Sequence, residues 1–138
     1  MNKTLKNKVI AVAKRAREWA LEEAAYDTYN KFDLCEWCAI ASGKLHTELL
    51  NERVNATINV TESYLGCHAY VVVDDHIVDI TATQFREFND KPIVIMHLKE
   101  AEQFWYYVAT DMFTSAKDLR KHQLKVKWPR KQLAYKEY

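Results

Sequence analysis

Residues 67–81 read CHAYVVVDDHIVDIT, and the fold turns on how this stretch is read. Two runs of β-branched and aromatic residues flank Asp74-Asp75, so the stretch is expected to be a β-hairpin of strands 67–73 and 76–81. With Asp74-Asp75 as a two-residue turn, Val73 faces His76, Tyr70 faces Asp79 and His68 faces Thr81. Side chains alternate between faces along a strand, so His68 and Asp79 share a face as a diagonal pair, ~7–8 Å apart at the backbone. A slip of one residue would send them to opposite faces. Asp79 sits between Val78 and Ile80, and a carboxylate in an apolar strand needs polar partners. His68 is the natural one.

Working outward, residues 53–64 (RVNATINVTESY) alternate and are rich in β-branched residues, which predicts a strand reaching the hairpin through a turn at Leu65-Gly66. The match of Asn55-Ala-Thr57 and Asn59-Val-Thr61 to the glycosylation sequon is read as strand sequence. PIVIMHL at 92–98 predicts a fourth strand, with Pro92 at its start, where a missing donor is tolerated. On the N-terminal side, Val9, Val12, Ala13, Ala16, Trp19, Ala20 and Ala24 recur at helical spacing and predict a helix over 3–29, with Glu23 interrupting the stripe. A second helix is expected over 34–51. Asp33 would be its N-cap, Glu36 the capping-box partner, and Phe32 with Trp37 a hydrophobic staple. Residues 99–124 return to helical patterning, in two pieces around Thr110–Thr114. The order is helix, helix, about four antiparallel strands, then helices: an α+β layout with helices packed on one face of the sheet. At 138 residues and 49% hydrophobic composition, the chain is expected to be a single domain spanning 1–138.

The net charge of +1 conceals basic ends. Residues 1–17 carry Lys3, Lys6, Lys8, Lys14, Arg15 and Arg17 without an acid, and from Lys117 onward eight basic residues face only Asp118 and Glu137. Such ends permit a nucleic-acid- or protein-binding module as an alternative function, although lysines on amphipathic helices most often form a solvated face. No apolar run approaches the ~20 residues of a membrane span, and the start MNKTLKNKVI lacks the apolar core of a signal peptide. With three cysteines, an odd count, the expected setting is a reducing cytoplasm with free thiols.

Two of those thiols lie in DLCEWCAIAS, residues 33–42. A thioredoxin-type redox pair fails on context, because the preceding segment is a charged helix and Pro92 and Pro129 are the only prolines. A structural zinc site could draw on Cys35, Cys38, Cys67 and His68 as a Cys₃His set, but Cys67 and His68 are strand neighbours that point to opposite faces. The third reading makes one thiol a nucleophile, with His68 as base and Asp79 orienting the base. Cys38 shares a helix face with Ser42, Leu45 and Leu49, and the small residues Ala39, Ala41, Ser42 and Gly43 permit close packing on the sheet. A cysteine in the opening turns of a helix feels the partial positive charge there, and a neighbouring imidazolium adds to it. Packing favours Cys38; capping by Asp33 favours Cys35.

EWCAIAS resembles the nucleophile segment of papain-like and transglutaminase-like proteins, with a Cys opening a helix, small and apolar residues after it, and Ser four places on. HAYVVVDDHIVDIT resembles the His strand and Asp strand of the same superfamily, in the same order. The resemblance covers about residues 33–85. It implies a papain-like or transglutaminase-like core in which Cys38 is the nucleophile, His68 the base and Asp79 the orienter. It also implies a thiol-dependent hydrolase or acyltransferase (peptidase, deamidase or transglutaminase-like) acting on a protein or peptide substrate, with no cofactor. The glutamine that precedes the cysteine in the papain branch has no clear counterpart here. Asn30 is the nearest amide, and the Cys38 backbone N–H could serve as an oxyanion donor instead. His46, His76, His97 and His122 read as surface or turn residues, and FWYYV (104–108) and WPRKQ (128–132) as core and packing.

Overall fold

The computed structural model describes residues 1–26 and 34–138. Helix α1 runs Lys3–Ala24, opened by Asn2, whose side chain accepts the Leu5 N–H at 2.8 Å. Its buried stripe is Val9, Val12, Ala13, Ala16, Ala20 and Ala24. The small side chains let it lie close against α2, Cys38–Asn51. One antiparallel sheet follows: β1 Thr57–Ser63, β2 Gly66–Val73, β3 His76–Asp79, β4 Val94–His97 and β5 Asp111–Phe113, in the spatial order β4-β3-β2-β1-β5. Helix α3 spans Leu98–Ala101 and α4 spans Ala116–Lys125. The architecture is α+β, with four α-helices among the described residues and a five-stranded antiparallel sheet.

The hairpin has the expected register, with Val73 opposite His76, Val72 opposite Ile77 and Val71 opposite Val78. Asp74 takes the positive φ that the tight turn requires (51°), a conformation that Asp adopts more readily than most residues. Alternation then divides the hairpin between two layers. Val71, Val73 and Val78 pack with α1 and α2, whereas Tyr70 and Ile77 pack on the other face with Phe88, Tyr106 and Tyr107. Ile58, Val60 and Ala69 join Cys38, Ala39 and Leu119 on the helical side, so α4 belongs to that layer too.

Several sequence expectations need correction. Helix α2 begins at Cys38 rather than 34, because Leu34 (φ 59°) and Glu36 (φ 68°) are left-handed and cannot belong to a right-handed helix. Trp37, not Asp33, occupies the cap position of this helix, and its side chain makes no capping bond. Asp33, Phe32 and Asn30 lie outside the described residues. The first strand starts at Thr57, and a fifth strand, Asp111–Phe113, pairs with β1 at the break expected between two helical pieces. Three residues carry too little alternation to announce a strand. Within 99–124 only the short α3 and α4 are helical, and Trp105–Tyr107 forms a 3₁₀ turn. His46 is buried, with Nε2 at 2.8 Å from the Ala56 carbonyl, and is no surface residue. No helix among the described residues is long and apolar enough to cross a membrane.

Candidate active site

The site is built at the end of the hairpin away from its turn. The β2–β3 ladder spans Val71 to Val73 on β2, so His68 lies three residues beyond it, paired with Thr61 of β1. Strand β3 ends at Asp79. From that point the carboxylate reaches diagonally across, and the His68 Nε2–H donates to Asp79 Oδ2 at 2.7 Å. The carboxylate can only accept, which fixes this nitrogen as the donor. His68 and Asp79 are 0% and 1% exposed.

Asp79 is held by three further donors. The Tyr107 hydroxyl donates to Oδ2 at 2.7 Å. The Thr81 N–H (2.8 Å) and Oγ1 (3.2 Å) both donate to Oδ1. Thr81 is in turn tied to Gln84, whose amide donates to the Thr81 carbonyl at 2.9 Å. Behind the strand end, the Arg17 guanidinium donates to the Ile80 carbonyl at 2.6 Å, which fastens α1 to the chain beside the carboxylate. Burial alone would push the Asp79 carboxyl up. The charge and bond of His68, helped by Thr81 and Tyr107, outweigh burial and hold it below the ordinary carboxylate value.

The mirror effect acts on the ring. Burial would push His68 down, but the Asp79 charge and hydrogen bond lift it to about 9, with a further contribution from the Cys38 thiol. Nδ1, the nitrogen not used by Asp79, is buried and has no hydrogen-bond partner of acceptable geometry. Cys38 is therefore a neighbour of the ring without a formed, aligned bond to it, a looseness common where the reacting groups await a ligand. Aromatic rings enclose the imidazole: Phe85 edge-on at 4.7 Å, Tyr107 at 5.8 Å and Tyr70 at 6.0 Å between centroids.

Cys38 arrives from the helical layer. It is the first residue of α2, 3% exposed, packed with Ala69, Trp128, Leu133 and Ala134. Ser42, one turn on, donates to the Ala69 carbonyl at 3.2 Å, which draws the helix onto β2 next to His68. Because His68 and Ala69 point to opposite faces, the thiol approaches from the other side of the sheet, at the stretch of β2 that the β3 ladder has left. At this helix start the first backbone N–H groups have no intrahelical partners, and the side chain of Trp37, at the cap position, does not bond them. The two left-handed residues just upstream, Leu34 and Glu36, each carry about 1–3 kcal/mol of backbone strain.

All three expected residues thus meet at one place. Tyr107 and Thr81 were not anticipated. FWYYV looked like packing because Phe104, Trp105 and Tyr106 do pack, and only the buried acid at Asp79, in need of donors, pointed to more. In WPRKQ, Trp128 is buried as expected, and its indole N–H also donates to Glu62 Oε2 at 2.7 Å. Cys67 is exposed on the opposite side of β2 from His68, where burial and then the Glu62 charge raise its thiol above the ordinary value. The alternative zinc set of Cys35, Cys38, Cys67 and His68 is not assembled: among the described residues no three His, Cys, Asp or Glu side chains are grouped to hold a metal ion. Set against known protein families, curated proteins and solved structures, the chain matches none of them.

Proposed function

We propose that this chain is a thiol-dependent hydrolase or acyltransferase with a papain-like or transglutaminase-like core. It acts on an amide carbonyl, either a peptide bond or a protein glutamine side chain. The observation that carries the reading is the buried His68–Asp79 bond, which leaves Nδ1 as the only ring nitrogen available to Cys38. A ring that keeps its proton up to about pH 9 is basic enough to take the proton of an ordinary thiol, which titrates near ~8.5. In this mechanism the Cys38 proton resides on Nδ1, as an imidazolium–thiolate pair, and Sγ attacks the carbonyl carbon. The imidazolium then returns the proton to the leaving nitrogen as the thioester forms. Water or an amine resolves the thioester, with His68 again as base. Asp79, fixed by Thr81 and Tyr107, holds the ring in this tautomer and balances its charge. The backbone N–H groups at the head of α2 are the donors for the developing oxyanion.

Cys38 and His68 are nearly fully buried, so a carbonyl reaches the sulfur only after covering residues move. Trp128 and Leu133 beside Cys38, and Phe85 beside His68, are those residues. The experiment is acyl trapping. The intact chain is incubated with p-nitrophenyl acetate and with glutamine-containing peptides, and followed by mass spectrometry. An acetyl thioester on Cys38, absent from His68→Ala, together with deamidated or cleaved peptide, is the expected result. Acylation elsewhere, or acylation indifferent to His68, counts against the proposal.

A further inference from the structure

One face of α4 and the chain end at Lys136 and Glu137 line an open groove of about 400 Å³ that the proposed chemistry does not use. Lys117, Arg120, Lys121 and Leu124 follow one another at i, i+3, i+4 and i+7, so they share one face of α4, and Lys136 and Glu137 form the opposite wall. Four cations therefore face one acid. None of the four cations is in an ion pair among the described residues. One of them is also pre-positioned: Arg120 Nη1 donates to the Ala134 carbonyl at 2.7 Å, while its Nε is buried without a partner. The guanidinium held in this way lines the groove, and a guanidinium suits carboxylate oxygens.

The lining also narrows the class of ligand. Leu124 is 52% exposed in the middle of the cations, and Val126 just beyond it is 45% exposed. A single- or double-stranded nucleic acid would use its charges but leave these apolar groups in water, and base stacking needs exposed aromatic faces. The tryptophan of this region, Trp128, is turned inward. Alternating acid and apolar side chains would satisfy both features. Ala134 links the groove to the thiol, since it accepts the Arg120 bond and packs in the same cluster as Cys38.

We infer that this groove is a docking surface for an acidic, leucine-containing segment of a protein substrate. The inference rests on the proposed function only in calling the partner a substrate. The test is fluorescence anisotropy of the full chain with a short fluorescein-labelled peptide of Asp, Glu and Leu. An oligonucleotide of equal charge and inorganic phosphate serve as competitors. The native chain is expected to bind the peptide, more weakly as NaCl is raised. Lys117→Glu with Lys121→Glu should weaken binding about tenfold or more, through like-charge contact, with thermal unfolding unchanged. Arg120→Gln should weaken it as well. Cys38→Ser should bind as the native chain does, so this outcome stands apart from that of the thiol chemistry. No binding by the native chain, binding unaffected by charge reversal, or effective competition by the oligonucleotide or by phosphate alone would overturn the inference.

Discussion

Replacing Asp79 by Asn keeps the size of the side chain and, through its oxygen, the bonds from Thr81, but removes the charge that raises His68 and puts an amide donor where Oδ2 accepted from His68 and Tyr107. In the native chain the ring moves from the ordinary 6.5 to about 9 on folding. At about 1.4 kcal/mol per pH unit, a displacement of that size corresponds to about 3 kcal/mol of folding free energy. The sign follows from which state binds the proton more tightly. The folded chain does, so the contribution is complete below pH 6.5 and disappears as pH rises through about 9. Asp79 works the other way: its carboxyl is held low in the fold, so its share is present above the ordinary carboxylate range and is lost in acid. His46, pushed down chiefly by burial, favours the folded state above its ordinary value and loses that share in acid too, outside the upper window. Urea unfolding of the native chain and of Asp79→Asn, followed from about pH 6 to 10, isolates the pair. The stability gap between them is expected to shrink by about 3 kcal/mol across this range. A constant gap would mean that the carboxylate does not hold a proton on His68, and the electrostatic account of the site would be wrong.

Three further outcomes follow from the packing. Tyr107→Phe removes one donor from a buried charged acceptor and should cost about 1.5–3 kcal/mol in urea unfolding; no loss would mean that Asp79 is not held from that side. Gly43→Ala would drive a methyl group into the Tyr138 ring, 2.7 Å from Cζ, at a cost of about 1–3 kcal/mol. Adding Tyr138→Ala should relieve most of that cost in a double-mutant cycle, and an additive pair would refute the contact. At the end of α2, the Val54 N–H bonds the Leu49 carbonyl and the Arg53 N–H the Leu50 carbonyl, both at 2.9 Å, the pattern of a Schellman cap whose left-handed residue is Arg53 (φ 60°). Arg53→Gly should therefore raise stability by about 1 kcal/mol in thermal or urea unfolding, and a loss would contradict the cap.

The sequence carried the hairpin because a two-residue turn and strict alternation leave little freedom of register. Asp79 was legible because an acid amid valines and isoleucines has to be paid for by donors. The face of the sheet from which Cys38 comes was not legible. Alternation divides residues into two sets but does not say which set the helices cover, and a thiol can meet a histidine of the other set only where the neighbouring strand has stopped. The start of α2 was misplaced for a related reason. DLCEWC contains good capping residues, but the left-handed turns at Leu34 and Glu36 postpone the helix until Cys38. Tyr107 was hidden in an aromatic run whose other members are packing residues, and β5 was too short to show a period.

Site-resolved alkylation tests the central claim most directly. The chain is treated with iodoacetamide at about pH 6, where an unassisted thiol is almost fully protonated, and the labelled cysteine is located by peptide mass spectrometry. Cys38 is expected to be labelled first, ahead of the more exposed Cys67, and His68→Ala should abolish its labelling while leaving Cys35 and Cys67 as they were. Preferential labelling of Cys35 or Cys67, or a Cys38 that reacts equally well without His68, would contradict the account.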